Sequence, residues 1–378
     1  MKLFLLAGEA SGDRLGAALM DGLAELAPGA EIRGIGGAEM TARGLSSLFP
    51  MEELSVMGLA EILPRYPQLR RRLGQTIEAV LAFAPDALVT IDSPDFSLRV
   101  ARAVRAARPI RTVHYVAPTV WAWRPGRAAR MAPFIDQVLA LFPFEPPYME
   151  AEGMRCDFVG HPVVASAMPD ASGLAAARAA LEGASPALAV LPGSRRGEVR
   201  RMAPVFGEVL RRVADRHPSL AVTVPVAPGL RGLVEEAVDG WPVPARLVEG
   251  EARTAAVAAC DAALAASGTV SLELARARVP MVIGYDMHPV SRAIIARMLR
   301  TDTVTLVNLV GETRVVPEFI GRRFRPGPMA AALERLFEPS APERAAQLAA
   351  FETVMDRLGE GGEAPGLRAA RAVLDGMG

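Results

Sequence analysis

The sequence predicts an α/β protein with two doubly wound parallel-sheet domains, and three observations support this prediction. The chain has 378 residues, more than the ~250–300 at which one hydrophobic core usually stops growing, so two domains are expected. Short apolar runs alternate with amphipathic stretches, which favours crossover connections and a parallel sheet with helices on both faces. The alternation restarts after 160–173, a segment with two prolines and two glycines that is the best linker candidate.

The first domain is predicted to span residues 1–165. Apolar runs bounded by turn residues predict its strands, and two amphipathic stretches predict helices at 15–26 and 96–107. The predicted strands are 2–7, 87–91, 111–116 and 137–141.

The second domain is predicted to span 166–345, followed by closing helices in 346–378. These helices, separated by a glycine-rich break at 359–362, are expected to pack on the first domain or on a partner chain. The predicted strands of the second domain are 187–191, 221–224, 246–248, 262–265 and 281–284.

Composition excludes several classes of protein. The 42 basic and 42 acidic residues leave no net charge, which argues against a general nucleic-acid binder. The two cysteines and four histidines show no metal-knuckle spacing, so no metal site or cofactor is predicted. The N-terminal apolar run, residues 3–7, is too short for a signal-peptide core, and no run reaches the roughly 18–20 apolar residues of a membrane span. A cytoplasmic protein is therefore expected.

Two segments of the first domain contain candidate binding or catalytic residues. Residues 8–13 (GEASGD) join a strand to a helix, where free amides could hold an anion, or where Ser11 or Asp13 could simply cap the helix. Asp92 and Asp95 follow a buried strand, where α/β active sites lie. Asp95 directly precedes the predicted helix and suits an N-cap, so Asp92 is the better candidate for a general base.

Two segments of the second domain suit a nucleotide. Residues 192–198 (PGSRRGE) place an arginine at a helix start, which suits a diphosphate, although a surface loop in an arginine-rich protein would look the same. Residues 267–273 (SGTVSLE) offer amides and hydroxyls, with Glu273 placed to accept hydrogen bonds from a ribose. A capping box formed by Thr269 and the first-turn glutamate is the alternative.

Seven ordered motifs, taken together, resemble the lipid-A-disaccharide synthase family. They span the chain from residue 8 to residue 273, and N-L-V-G at 308–311 extends the resemblance. The motifs are G-E-A-S-G-D (8–13), M-E-E-L-S-V-M-G (51–58), I-D-S-P-D-F (91–96), H-Y-V-A-P-T-V-W-A-W-R (114–124), F-V-G-H-P (158–162), L-P-G-S-R (191–195) and S-G-T-V-S-L-E (267–273).

The resemblance implies a GT-B glycosyltransferase with two Rossmann-like domains and an active site in the cleft between them. It implies transfer of 2,3-diacylglucosamine from its UDP derivative to 2,3-diacylglucosamine 1-phosphate (lipid X), with inversion to a β-1,6 linkage. The first domain would bind the acceptor and the second the UDP-sugar, without a metal or cofactor. The implied roles are catalysis for Asp92, acceptor contacts for Glu9, Ser11 and Asp95, and UDP contacts for Arg195, Ser267, Gly268, Thr269, Glu273 and Asn308.

A GT-B-fold epimerase or hydrolase acting on a UDP-amino sugar is the alternative enzyme, and the short N-terminal apolar run argues against a periplasmic sugar-binding protein. Because both substrates carry acyl chains, we expect peripheral contact with the cytoplasmic face of the inner membrane. Arginine-rich stretches at 65–72 and 99–130 and the apolar residues Leu59, Ile62 and Leu63 are the predicted contact surface. The sequence does not decide whether the chain forms a homodimer.

Overall fold

The computed structural model describes residues 1–54, 59–122, 126–287, 292 and 301–377, with the backbone alone for 59–64. These residues form two units, Met1–Ala165 with Gly361–Gly378 and Ser166–Glu360. Some predicted features lie outside the described residues: positions 55–58 of the second motif, Trp123 and Arg124 of the aromatic segment, and the side chains of Leu59, Ile62 and Leu63.

The first unit contains a six-stranded parallel sheet in the order β2-β1-β3-β4-β5-β6. Its central strands are almost entirely buried, as expected for a sheet covered on both faces. The strands are β1 (Lys2–Ala7), β2 (Glu31–Ile35), β3 (Ala87–Ile91), β4 (Arg111–Tyr115), β5 (Gln137–Ala140) and β6 (Arg155–Phe158).

Helices connect these strands, and one helix from the end of the chain joins the unit. They are α1 (Ala10–Leu26), α2 (Ala38–Thr41), α3 (Leu59–Phe83), α4 (Pro94–Ala107), α5 (Gly126–Met131), α6 (Pro146–Glu150) and, from the chain end, α15 (Pro365–Asp375).

The second unit repeats this architecture, with a parallel sheet in the order β12-β11-β10-β7-β8-β9. Its strands are β7 (Ala187–Leu191), β8 (Ala221–Pro225), β9 (Ala245–Val248), β10 (Ala262–Ala265), β11 (Met281–Tyr285) and β12 (Glu318–Ile320). Its helices are α7 (Ala171–Ala179), α8 (Arg196–Ala214), α9 (Arg231–Val238), α10 (Ala252–Ala258), α11 (Val270–Arg276), α12 (Leu306–Gly311), α13 (Pro326–Phe337) and α14 (Pro342–Leu358).

Every strand predicted from the sequence is present, and the described strands that the sequence did not predict, β2, β6 and β12, each lie at a sheet edge. In β2 only the last two residues are buried, and β6 and β12 are largely half-exposed. An edge strand has one neighbour and a wetter surface, so it lacks the apolar run that identifies a central strand.

Two helices begin earlier than predicted. Helix α1 starts at Ala10 rather than Leu15, and α4 starts at Pro94 rather than Phe96. Small and polar residues fill the first turn of α1 and give no amphipathic signal, while proline at the first position of α4 suits the helix because its missing N–H has no intrahelical partner.

Helix α15 packs against α1 through glycines. A Cβ atom on Gly22 would lie 2.7 Å from the carbonyl oxygen of Gly366, and one on Gly366 would lie 2.3 Å from that of Ala18. The two helices therefore approach at a distance that only glycine allows here. In the described part of the chain, no helix combines the length and the apolar character needed to cross a membrane.

Candidate active site

The loops after β1 and β3 bring together polar residues that are distant in sequence. Ala7 and Ile91, the last residues of the two strands, pair in the sheet. The chain proceeds from β1 to β2 on one side and returns to β3 on the other, so these strand ends form the switch point where α/β proteins bind ligands. Ser11 and Asp92 are in contact there, and Glu9 is the N-cap residue of α1. We call these three residues the first-unit cluster.

Asp92 is the centre of this cluster. The Ser11 hydroxyl donates to Asp92 Oδ2 at 3.2 Å, and the backbone N–H of Ser93 donates to Oδ1 at 2.9 Å. The carboxyl group is half-buried rather than enclosed. Since each carboxylate oxygen has two lone pairs, Asp92 keeps the capacity to accept a proton from a bound hydroxyl group.

The backbone at Asp92 and Ser93 is held in the left-handed region, with φ of 52° and 43°. Such a conformation costs roughly 1–2 kcal/mol per residue with a side chain, so surrounding contacts must hold it. The Asp92 N–H donates to the Tyr115 carbonyl at 2.9 Å. Gly8 provides the space, since a Cβ there would lie 2.6 Å from the Ser93 hydroxyl oxygen.

Asp95 does not cap α4. The N-cap is Ser93, and its side chain makes no capping hydrogen bond. Asp95 instead lies in the first turn, with a side chain 99% exposed and 3.4 Å from Arg127. The N-cap expected from sequence is therefore wrong, because the helix begins one residue before Asp95.

Asp13 has a structural role that the sequence did not reveal. Its carboxylate is buried and accepts backbone N–H groups from Gly37 at 2.7 Å, Glu39 at 2.9 Å and Met40 at 3.1 Å. It therefore holds the start of α2 rather than capping α1. The partners are more than twenty residues away, so no local pattern could have identified them.

His114, from the aromatic motif, is a packing residue. It lies on β4, fully buried, with Nδ1 2.8 Å from the Thr90 hydroxyl on β3. Burial, together with the charge of Arg127, lowers the pKa of His114 to about 3. The ring is therefore neutral at physiological pH and does not supply a charge to the site.

Glu145, which the sequence analysis missed, is a buried carboxyl group beside an aromatic cluster. Backbone N–H groups of Leu141 and Phe142 donate to its Oε2 at 3.1 and 3.0 Å. Burial raises the pKa of Glu145 to about 8, although these donors act in the opposite direction. Nearby, the ring of Phe144 stacks on Phe142 and meets the edge of Trp121. A glutamate within the apolar sequence F-P-F-E-P-P was the available signal.

In the second unit, the loops after β7 and β10 are likewise neighbours. Leu191 pairs with Ala265 at the strand ends, and the order of strands changes direction at this position. The loop 192–195 and the loop 266–269 therefore leave one edge of the sheet side by side, at a second switch point. We call them the second-unit loops.

Arg195 is the N-cap residue of α8, and its side chain is 62% exposed. Its guanidinium lies 3.4 Å from the Glu198 carboxylate, a loose ion pair that leaves most of its donors open. Glu198 also accepts the Ser194 N–H at 3.0 Å, which holds the turn that precedes α8.

The capping box proposed as the alternative for Thr269 does not form. Thr269 is the N-cap of α11, but its side chain makes no capping hydrogen bond. Ser267 is half-buried, whereas Gly268, Thr269 and Glu273 are exposed. The polar groups of this loop are therefore accessible to a ligand.

Asn308 has internal partners. It is buried, its amide nitrogen donates to the Val316 carbonyl at 2.9 Å, and its amide oxygen accepts the Val316 N–H at 3.1 Å. These bonds close the loop after α12. A direct contact between Asn308 and a nucleotide stays a prediction, and the side chain first serves to hold this loop.

Two solved structures of UDP-GlcNAc 2-epimerases have the same architecture. The UDP-GlcNAc 2-epimerase of Neisseria meningitidis bound to UDP-GlcNAc matches 100% of this chain and 99% of its own, with a TM-score of 0.60 and 12% identity. The Methanocaldococcus jannaschii enzyme, in complex with UDP-GlcNAc and UDP, matches 99% of both chains, with a TM-score of 0.60 and 14% identity. At this identity the likeness shows the fold alone, and the predicted fold of two Rossmann-like domains is confirmed.

Sequence comparison is more specific. The lipid-A-disaccharide synthase of Ruegeria pomeroyi is 57% identical, covering 99% of this chain and 95% of its own length. That of Rhodospirillum centenum is 51% identical, covering 99% and 94%. The family model for lipid-A-disaccharide synthetase matches residues 3–360. The chain therefore belongs to the lipid-A-disaccharide synthetase family.

Proposed function

We propose that this chain joins UDP-2,3-diacylglucosamine to lipid X, releasing UDP and forming a β-1,6-linked disaccharide 1-phosphate. The observation that carries the proposal is the hydrogen bond between Ser11 and Asp92 at the first switch point. It places a carboxylate with unused acceptor capacity beside the loops where the acceptor would bind. Membership of a family of disaccharide synthetases supports the same reaction.

Asp92 acts as general base in this proposal. The acceptor 6-hydroxyl attacks C1 of the donor sugar, its proton passes to Asp92, and the bond from C1 to the diphosphate oxygen breaks. A single displacement converts the α-linked donor into the β-linked product. Ser11 keeps the carboxylate oriented through its 3.2 Å bond, and Glu9, the N-cap residue of α1, lines the acceptor side.

The second-unit loops hold UDP. Departure of UDP places negative charge on the diphosphate, which a guanidinium and backbone N–H donors stabilise. Arg195 at the start of the nineteen-residue helix α8 supplies the cation, and the helix dipole adds positive potential there. Ser267, Gly268 and Thr269 donate hydrogen bonds, while the exposed Glu273 accepts the ribose hydroxyls.

Acyl-chain substrates require contact with a membrane surface, and we propose that helix α3 provides it from the cytoplasmic face. Arg65, Arg70 and Arg71 are exposed on this helix, and Tyr66 is 53% exposed. Arg72 is different, because it is held by Glu53 at 2.7 Å and its guanidinium covers the ring of Phe49. The basic surface of α3 is therefore formed by Arg65, Arg70 and Arg71, without Arg72.

Release of UDP with and without lipid X tests the proposed reaction. The transferase releases UDP only when lipid X is present, and the disaccharide 1-phosphate appears in equal amount. Turnover of UDP-diacylglucosamine without acceptor would indicate a hydrolase, and a UDP-sugar product of the same mass would indicate an epimerase. Either result overturns the proposal.

A further inference from the structure

A groove of about 340 Å³ lies along helices α4 and α5 of the first unit, and its lining is dominated by arginine. Residues of both helices and of the following turn form it. Leu98, Met131 and Phe134 supply the larger apolar side chains of the lining. The basic side chains are Arg99, Arg102, Arg127 and Arg130.

The charge in this groove is unbalanced. The chain as a whole has equal numbers of basic and acidic residues, yet among the residues that the structure describes four arginines and a single carboxylate, Asp95, line the groove. Asp95 neutralises little, because its ion pair with Arg127 is long, at 3.4 Å, and its side chain is 99% exposed. Like charges brought together in this way repel one another unless an anion is bound.

The arginines keep donors available. Arg130 uses Nε on the carbonyl of Gly126 at 3.1 Å, and Arg102 lies over the ring of Phe134 at 5.9 Å. Each guanidinium has five N–H donors in a planar fork, so these contacts occupy few of them. A planar fork matches the oxygens of a phosphate group, to which it can donate two parallel hydrogen bonds.

The groove adjoins the first-unit cluster. Pro94 and Asp95 line it, and they follow Asp92 by two and three residues at the start of α4. In a pyranose, C1 and C5, the carbon that carries C6, are both bonded to the ring oxygen. A sugar whose 6-hydroxyl lies at Asp92 therefore has its 1-phosphate close by, within reach of an adjoining groove. We propose that this arginine groove binds the 1-phosphate of the acceptor, and so makes the enzyme selective for a phosphorylated acceptor; this inference rests on the proposed function.

The test compares the double variant R102Q/R130Q with a matched control, R178Q/R216Q, whose two arginines are exposed and lie outside the groove lining. KM and kcat are measured for lipid X and for 2,3-diacylglucosamine without phosphate, in mixed detergent micelles. We expect R102Q/R130Q to raise KM for lipid X about tenfold or more with little change in kcat. KM for the acceptor without phosphate and UDP affinity stay unchanged, and the control behaves as wild type. An equal rise in KM for both acceptors would overturn the proposal.

Two further experiments distinguish binding of the acceptor phosphate from binding of lipid headgroups, and failure of the phosphate assignment from failure of the proposed reaction. If the arginines bind lipid headgroups instead, R102Q/R130Q loses binding to phosphatidylglycerol vesicles while KM for lipid X in micelles is unchanged, which overturns the proposal. Binding of glucosamine 1-phosphate and of glucosamine is also measured by calorimetry, without turnover. If the wild type shows no transferase activity but binds the phosphorylated sugar through Arg102 and Arg130, the proposed reaction fails while the phosphate assignment stands.

Discussion

The hydroxyl group of Ser11 donates a 3.2 Å hydrogen bond to the carboxylate of Asp92, joining the first turn of α1 to the loop after β3, 81 residues away in the chain. The contact depends on the pairing of β1 with β3 and on the left-handed backbone at Asp92. It identifies which of the two neighbouring aspartates faces the switch point, and it leads to the first prediction.

Replacing Asp92 with asparagine is expected to lower kcat by about 10²–10⁴-fold, the usual contribution of a general base, while UDP binding is retained. S11A removes one hydrogen bond to the carboxylate and should lower kcat by about twofold to tenfold. D95N is the comparison for kcat alone: this side chain is 99% exposed in the first turn of α4, so kcat should stay within about twofold of wild type. Steady-state kinetics on the purified variants check these values, and an inactive D95N beside an active D92N would reverse the assignment.

Replacing Glu273 with alanine is expected to weaken UDP binding by about tenfold, because a charged acceptor of ribose hydrogen bonds is lost. For 2′-deoxy-UDP, the affinity of E273A should be almost the same as that of the wild type. This nucleotide lacks one of the two ribose hydroxyls that Glu273 would bind. Calorimetric titration with both nucleotides measures the difference. Equal losses for both would leave Glu273 without a role at the ribose.

Glu198 provides a test of how the loop 192–195, which we propose binds the diphosphate, keeps its conformation. Its carboxylate accepts the Ser194 N–H and lies beside Arg195, so it fixes the turn but also competes with a bound diphosphate for positive charge. We expect E198A to weaken UDP binding by loosening the turn. E198Q keeps an acceptor oxygen and removes the charge, so it should bind UDP at least as tightly as wild type. Tighter binding by E198A than by E198Q would contradict this account.

Membrane contact is expected to depend on the exposed arginines of α3. R65S/R70S/R71S should reduce binding to anionic vesicles, because each basic residue near such a surface contributes about 1 kcal/mol. R72S serves as the control, since that arginine is engaged by Glu53 and should affect thermal stability instead. Co-sedimentation with anionic vesicles at low and high salt measures the binding, and thermal unfolding measures the stability of R72S. Salt-independent binding would argue against an electrostatic surface.

The buried Glu145 predicts a pH dependence of stability. The unfolded chain releases this proton near pH 4.5, whereas the folded protein retains it up to about pH 8. Between these values the folded state binds more protons, so the free energy of unfolding should fall as pH rises. E145Q cannot ionise and should show a flatter profile, while E150Q, at an exposed position, should follow wild type. Urea unfolding across this range measures the difference.

The parts of the fold that could be predicted are those with a local signal. Central strands such as β3 are buried throughout and appear as continuous apolar runs, whereas the edge strand β2 does not. The motifs identified the residues of the candidate site, but they did not identify the partners that these residues bind in the fold. The bonds from Asp13 to Gly37 and from Asn308 to Val316 depend on tertiary packing, and so does the left-handed turn at Asp92. No periodicity or spacing encodes such contacts.

Helix α15, which packs on α1, is separated from the rest of its unit by the whole of the second unit. During synthesis the ribosome therefore releases residues 361–377 only after all of Ser166–Glu360 has been translated. The helix that begins beside Glu9 and Ser11 must wait for these residues before its outer face is covered. A nascent chain stalled within the second unit would thus carry a first unit that has not finished folding.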